Sequence, residues 1–146
     1  MIRAVVDVNV IVSAILGPLG FSRRILLAWE AGLFDPITSE GIISKVEEKL
    51  QLPRITRRYN LRSPEDIHWV FGLLQTQAEL VPVLTEQRVE VTGDPEDDYV
   101  LATGRLARAD YLVTGDHRLL ALGQHESTRI VSPREFLGIV HQASQP

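Results

Sequence analysis

The sequence contains no cysteine among its 146 residues. This absence excludes disulfide bonds, thiolate nucleophiles and cysteine-based zinc sites, and it agrees with a reducing cytoplasm. No apolar run approaches the roughly 20 residues that a membrane-spanning helix needs, and no signal-peptide pattern precedes the first strand-like segment. We therefore expect a cytoplasmic protein that has no membrane partner.

A large excess of charge of either sign is also missing, since the formal net charge is −4 at pH 7. A protein with a broad basic face for nucleic acid would lean the other way. Acids gathered in one metal site would be neutralised locally by bound cations, so this charge argues against a basic face but not against a nuclease. A hydrophobic content of 45% fits one domain with a real core. We expect that domain to cover residues 1–141, with 142–146 as a frayed tail.

Short apolar strands alternate with longer helical segments along the chain. The predicted strands cover residues 3–7, 33–37, 80–84, 111–113 and 129–131. The predicted helices cover residues 10–16, 23–31, 39–50, a segment that begins at Ser63, 99–109, 119–122 and 133–140. Ser22 is the expected cap of the second helix, and a capping box at Ser132 opens the last one. This alternation predicts the α/β class, as a three-layer α/β/α sandwich with a largely parallel central sheet.

Acidic residues stand where the predicted strands and helices meet. Asp7 closes the first strand, Asp116 follows a later one, and residues 94–98 place four acids in five positions before a helix. In an open α/β sheet, ligands bind at the carboxyl ends of the strands. Each acid also has an ordinary interpretation, as a turn residue or as a helix-capping acid. Periodicity alone does not group them into one site.

Several motifs taken together resemble the PIN domain family, over nearly the whole chain. They are Asp7-Val8-Asn9 after an apolar strand, Ser39 at a helix start, Asp98 eighteen residues before Asp116, and the segment 112–116. Within that family the chain is most similar to the VapC-like toxin components of toxin–antitoxin systems. The resemblance implies a metal-dependent endoribonuclease with an RNA substrate, a small antitoxin protein as partner and a homodimeric state.

The resemblance also implies roles for individual residues. Asp7, Asp98 and Asp116 match the acids that hold Mg²⁺ or Mn²⁺, Asn9 matches a polar residue that orders the site, and Thr114 matches a hydroxyl beside the last acid. An all-oxygen cluster selects a hard ion of this kind. Such an ion activates a water and stabilises the charge that builds on a phosphodiester, so no side-chain nucleophile is needed.

One position departs from the family pattern. A second acid is expected about six residues after Ser39, where this chain has Lys45. Glu48 lies one turn later on the same helix face and is an alternative ligand, and Asp97 is a further candidate. Either Glu48 serves, or the site has lost a ligand, or the ammonium of Lys45 replaces a cation. The alternative function is therefore a catalytically weakened PIN-like module that binds RNA or protein.

A basic segment lies between two predicted helices. Arg54, Arg57 and Arg58 could contact an RNA backbone, with Tyr59 available for stacking. A solvated or salt-bridged loop is the ordinary interpretation of the same residues. Other magnesium-dependent phosphotransfer folds fit less well, because a phosphatase of the haloacid-dehalogenase type needs Asp-x-Asp where this chain has Asp7-Val8-Asn9.

Overall fold

The computed structural model describes residues 1–17, 20–51, 64–83 and 91–145. The strands in these ranges are β1 (Arg3–Val6), β2 (Asp35–Thr38), β3 (Glu79–Leu80), β4 (Tyr111–Val113), β5 (Gln124–His125) and β6 (Thr128–Val131). The helices are α1 (Val8–Leu16), α2 (Phe21–Glu30), α3 (Glu40–Leu50), α4 (Pro64–Thr76), α5 (Pro95–Ala107), α6 (His117–Leu122) and α7 (Pro133–Ala143).

The strands form one sheet in the order β3-β2-β1-β4-β6-β5. Every neighbouring pair is parallel except β5 and β6, which are antiparallel. In register, Val5 of β1 lies opposite Ile37 on one side and Leu112 on the other. Helices flank this sheet, so the predicted α/β/α sandwich with a largely parallel sheet is confirmed.

The core is built on the central strands and the helices that cover them. Residues 4–6 of β1 and residues 112–113 of β4 are almost entirely buried. Phe34 links two further aromatic side chains, with its ring 5.0 Å from that of Phe136 and 6.4 Å from that of Trp29, both in edge-to-face geometry. Full burial of one such side chain contributes about 1.5 to 3 kcal/mol to stability.

The direction of α5 explains why its acids meet those that follow the strands. The last residue of α5, Ala107, accepts a hydrogen bond from the side chain of Arg3 at the start of β1. Its first turn therefore lies at the opposite edge of the sheet, where β1 ends before Asp7 and β4 ends before Thr114. Periodicity left this grouping open, and the parallel sheet with α5 running back across it resolves the question.

Three helix starts differ from the prediction. The first helix was expected to start at residue 10, but α1 already begins at Val8 with Asp7 as its N-cap. Gly20 caps α2 in place of Ser22. Helix α5 begins at Pro95 and not at residue 99, because the side chain of Asp94 accepts a hydrogen bond from the Glu96 N–H and so caps the helix four residues earlier.

The chain after α3 also shows differences. Strand β3 has two residues and starts at Glu79, whereas the prediction placed it over 80–84. Strand β5 was not predicted; it pairs with β6 across a tight turn in which Glu126 adopts a positive φ of 54°. The capping box at Ser132 is confirmed, but α7 runs to Ala143 and so takes in the start of the expected tail. The predicted cap Ser63 lies outside the described residues.

Within the part of the chain that the structure describes, no single helix is long and apolar enough to cross a membrane. Helices α1 and α2 reach the necessary length and composition only together, as a bent pair.

Candidate active site

Asp7 lies in the junction between β1 and α1, and its side chain is only 3% exposed. Its main-chain N–H donates to Val113 O of β4 (2.9 Å), and its own carbonyl accepts from the first turn of α1. Burial raises the pKa of the Asp7 carboxyl, although a hydrogen bond from Thr114 and the positive charge of Lys49 oppose that rise. The fold thus keeps a carboxyl group at a point where water cannot fully solvate its charge.

Thr114 joins Asp7 to the segment that carries Asp116. Its hydroxyl donates to Asp7 Oδ2 (2.6 Å) and accepts from the Asp116 N–H (3.0 Å), while the side chain is completely buried. One hydroxyl therefore holds both acids in place. The resemblance placed Thr114 beside the last acid, and the structure places it between Asp7 and Asp116.

Asp97 and Asp98 are adjacent in sequence, but they face different surroundings. Asp98 Oδ1 accepts hydrogen bonds from the N–H of Val91 (3.2 Å), the N–H of Thr92 (2.9 Å) and the Thr92 hydroxyl (2.9 Å). Successive residues of a helix point about 100° apart, so the two carboxylates leave the helix in different directions. Asp98 thus holds the preceding loop, whereas the charges of Asp116 and Asp7 act on Asp97. The assignment of Asp98 as a metal ligand stays a prediction.

The Asp97 carboxyl group is 6% exposed, and its pKa is raised to about 6. Burial is the main cause, and the negative charges of Asp116, Asp94 and Asp7 add to it. Its Oδ2 atom is buried and receives no hydrogen bond. A buried carboxylate oxygen without a donor is unfavourable, and such atoms occur where an ion or a functional group acts.

Arg118 is the cation that stands among these acids. Its Nη2 lies 3.1 Å from Asp94 Oδ2 and 3.3 Å from Asp97 Oδ2, and its Nε lies 3.8 Å from Asp116 Oδ1. The side chain is 61% exposed, so it covers the acids from the solvent side. A hydrogen bond from the Glu96 N–H and the nearby Arg118 both lower the pKa of Asp94.

Asp94 and Asp116 are both helix caps as well as members of this group. Asp94 Oδ1 accepts from the Glu96 N–H (2.9 Å) at the start of α5. Asp116 Oδ1 accepts from the N–H groups of Arg118 (2.8 Å) and Leu119 (3.4 Å) at the start of α6. Helix starts favour negative charge, which helps to keep these acids close to one another.

A second cation reaches the site from α3. Lys49 Nζ lies 2.8 Å from Asn9 Oδ1 and 2.9 Å from Glu96 Oε1. Asn9 itself is exposed, and its expected role in ordering the site stays a prediction. Lys49 was not anticipated from the sequence.

The two alternatives for α3, Lys45 and Glu48, form an ion pair with each other. Lys45 Nζ pairs with Glu48 Oε2 at 3.3 Å, and the Glu48 side chain is 64% exposed. Glu48 as a metal ligand thus finds no support in its position, because its carboxylate faces solvent and the adjacent lysine. Lys45 also borders a cleft of about 410 Å³ beside the acids, whose lining includes Val8, Glu96 and Tyr99. The predicted RNA-binding residues Arg54, Arg57, Arg58 and Tyr59 lie outside the described residues.

Most of the chain matches a known protein family. The family model described as "PIN domain" matches residues 3–118, which include all of the acids discussed above. The chain belongs to the PIN domain family. PIN domains are generally nucleases that use divalent metals, and the membership supports a hydrolase of the nuclease type.

Two curated proteins are similar to this PIN domain protein at a distant level. Both are named bifunctional glutamine synthetase adenylyltransferase/adenylyl-removing enzyme, one from Bordetella pertussis and one from Bordetella bronchiseptica. Each is 27% identical over 150 residues, an alignment that covers 86% of this chain and 16% of the relative. The chain thus spans about a sixth of the length of these relatives.

The carboxylates of this PIN domain are the type of ligand that a divalent metal prefers, but the positions of those that the structure describes do not form a complete metal site. Among the described residues, no group of three or more His, Asp or Glu side chains is placed so that it could hold an ion as it stands. Carboxylate oxygens are nevertheless the ligands that hard ions prefer, and Asp97 Oδ2 is buried without a donor. The guanidinium of Arg118 contacts two of these acids, Asp97 and Asp116.

Sequence reasoning gave Asp97 only as a further candidate ligand, and it did not anticipate the contacts of Arg118 with these acids. A signal for Asp97 existed, because Asp94 followed by Pro95 is a typical N-cap with proline at the first helical position. That start sets the phase of α5 and turns Asp94 and Asp97, three residues apart, to the same side. For Arg118 the sequence carried no comparable signal, since its contacts join α5 and α6.

Proposed function

We propose that this PIN domain is an Mg²⁺- or Mn²⁺-dependent endoribonuclease that hydrolyses RNA phosphodiester bonds. The observation that carries the proposal is the orphaned, buried Asp97 carboxylate oxygen beside Asp7 and Asp116 at the carboxyl edge of the sheet. Acids held so closely without full compensation destabilise the fold, and a divalent cation is the partner that relieves them. The family adds the expectation of a nuclease.

Asp7, Asp97 and Asp116 would hold the ion. When bound, it would supply an activated water and stabilise the charge that develops on the phosphodiester. Thr114 fixes the orientation of Asp7 by donating to Oδ2. Burial of Asp7 and Asp97 excludes competing water from the acids, and this strengthens every electrostatic interaction there.

A second candidate function is a weakened module that binds RNA without cutting it. The observation that favours it is the presence of two lysines on α3 near the acids. Lys45 stands where the family pattern has an acid and borders the cleft, and Lys49 pairs with Glu96. Basic side chains beside the acids suit the negatively charged backbone of RNA, and they also reduce the negative field that attracts a metal.

The biological setting is proposed from the resemblance to the VapC-like branch. It comprises a toxin role in the cytoplasm, a small antitoxin protein as inhibitor and a homodimer. The names of the two Bordetella relatives describe adenylyl transfer and removal in proteins of which this chain covers a small share. We therefore base the proposed substrate on the geometry of the acids.

The test is cleavage of a mixed pool of RNAs by purified protein, with Mn²⁺, Mg²⁺ or EDTA. Asp7→Asn is the test variant and Asp35→Asn the matched control, because Asp35 is an exposed acid at the start of β2, on the opposite edge of the sheet. We expect metal-dependent cleavage by the wild type and the control, and none by Asp7→Asn. Cleavage that persists in folded Asp7→Asn would refute the nuclease site, and specific RNA binding without cleavage would favour the binding module.

A further inference from the structure

Arg118 occupies a position that a bound cation would need. Its guanidinium reaches Asp94 and Asp97 at the first turn of α5 and Asp116 at the start of α6, within 3.1, 3.3 and 3.8 Å. The side chain comes from α6 itself, two residues after Asp116, and it lies over the acids from the solvent side. The side chain of Arg118 thus forms ion pairs with acids at the N-termini of both α5 and α6.

The compensation that Arg118 gives is incomplete. Asp97 Oδ2 is buried and lies 3.3 Å from the guanidinium, yet no hydrogen bond joins them. A hard divalent ion binds carboxylate oxygens at about 2.0 to 2.6 Å and carries twice the charge. It would therefore satisfy this atom better than the guanidinium does.

We propose that Arg118 is an internal cation that competes with the divalent metal for Asp97 and Asp116, so that metal loading requires the arginine to swing out. This inference rests on the metal site of the proposed function and adds a way to regulate it. Because Arg118 is largely exposed, its ion pairs are individually weak, and a divalent ion can displace it. The arginine lowers the apparent metal affinity without closing the site permanently.

Lys49 provides the matched comparison, because it is a second positive charge near the same acids. Its ammonium is held by Asn9 and Glu96, and it acts on Asp7 only through its field. Removing Lys49 therefore removes a nearby positive charge that repels the metal but leaves Arg118 in contact with Asp97 and Asp116. Removing Arg118 removes a repelling charge and also frees these two acids to bind the metal.

The experiment is calorimetric titration of metal-free protein with Mn²⁺, at low and at high salt. The variants are Arg118→Ala, Arg118→Gln, Lys49→Ala and Arg129→Ala; Arg129 is an exposed control that lies over the Tyr111 ring at the opposite edge. We expect both Arg118 variants to bind Mn²⁺ about tenfold more tightly than the wild type, a change of about 1.4 kcal/mol. Lys49→Ala should gain less and lose its gain at high salt, since a through-space effect is screened.

The inference fails if the Arg118 variants bind Mn²⁺ no more tightly than Lys49→Ala, or bind none. Thermal unfolding with EDTA and with Mn²⁺ provides a second readout: the rise in Tm on adding metal should be larger for Arg118→Gln than for the wild type. RNA cleavage separates the two proposals. Tighter metal binding in the Arg118 variants with no cleavage by any protein would refute the ribonuclease and leave the competition intact.

Discussion

The two edges of the parallel sheet treat charge differently. At the amino edge, the Arg3 N–H donates to Asp110 Oδ2 (2.9 Å), and the Arg3 guanidinium contacts Glu79 and the Ala107 carbonyl. The charges of Arg3, Asp110 and Glu79 are thus paired locally. At the carboxyl edge, buried Asp7 and Asp97 have raised pKa values, and Asp97 keeps an oxygen without a donor.

This difference separates charges that serve the fold from charges that serve a ligand. Folding alone favours paired acids, because an unpaired buried carboxylate lowers stability. The concentration of poorly compensated acids at one edge therefore supports the proposal that the protein binds a cation there. The following variants test this contrast, from the largest expected effect to the smallest.

Replacing Thr114 with valine should have the largest effect on stability. The change keeps the shape but removes the donor to buried Asp7 Oδ2 and the acceptor for the Asp116 N–H. We expect the free energy of unfolding to fall by roughly 2 to 3 kcal/mol, together with a loss of RNA cleavage. Chemical denaturation measures the first, and Thr114→Ser, which restores the hydroxyl, is the control. A stable and fully active Thr114→Val would contradict the role assigned to this hydroxyl.

Asp98→Ala should destabilise the protein while leaving the acids of the site in place. Three hydrogen bonds from Val91 and Thr92 to Asp98 Oδ1 are lost, and we expect a decrease of about 2 kcal/mol in the free energy of unfolding. Denaturation combined with Mn²⁺ titration distinguishes fold from site. If Mn²⁺ affinity disappears in a folded Asp98→Ala, the assignment of Asp98 to the loop is wrong.

Local patterns in the sequence predict much of this fold. The apolar strands at β1 and β4, the capping box at Ser132 and the order of elements all follow from neighbouring residues, because periodicity and capping are short-range effects. The resemblance to PIN domains identifies Asp7, Thr114 and Asp116 as candidate site residues. The choice of Asp98 over Asp97 came from the resemblance and stays a prediction, whereas the contacts that distinguish the two acids involve the loop at Val91 and Thr92 and helix α6.

Contacts between distant segments could not be predicted in this way. Arg118 meets Asp94 and Asp97 only because α5 and α6 begin at the same edge of the sheet, and Lys49 meets Asn9 only because α3 packs on α1. Ser39 shows the same limit: it stands at the N-cap of α3, yet its hydroxyl lies 3.1 Å from the Thr103 hydroxyl and does not cap the helix.

Arg3→Ala changes the amino edge alone. Losing the contacts of its guanidinium with Glu79 and the Ala107 carbonyl should lower the free energy of unfolding by about 1 kcal/mol, because the group is partly exposed. RNA cleavage and Mn²⁺ affinity should be those of the wild type. An altered metal affinity in this variant would show that the two edges are not independent.

The smallest expected effect is on the pH dependence of stability, which tests the raised pKa of Asp97 at the carboxyl edge. The folded pKa of Asp97 is about 6, above its ordinary value of 3.8, so its contribution to stability is present below about pH 4 and is lost as the pH rises through 6. The difference between 3.8 and about 6 sets an upper limit of about 3 kcal/mol, and solvent screening reduces this effect. In EDTA, Asp97→Asn should therefore gain roughly 1 kcal/mol over the wild type as the pH rises from about 4.5 to 7. Tm values across this range provide the measurement, and a difference independent of pH would contradict it.

The most direct test of the account is metal-dependent RNA cleavage by Asp97→Asn and Asp98→Asn, measured beside the wild type under identical Mn²⁺ concentrations. The two changes are chemically the same and one residue apart, so they differ only in which way the side chain points. The account predicts that Asp97→Asn loses cleavage and that Asp98→Asn retains it, with both proteins folded. Retained cleavage in Asp97→Asn with loss in Asp98→Asn would contradict the site described by the structure.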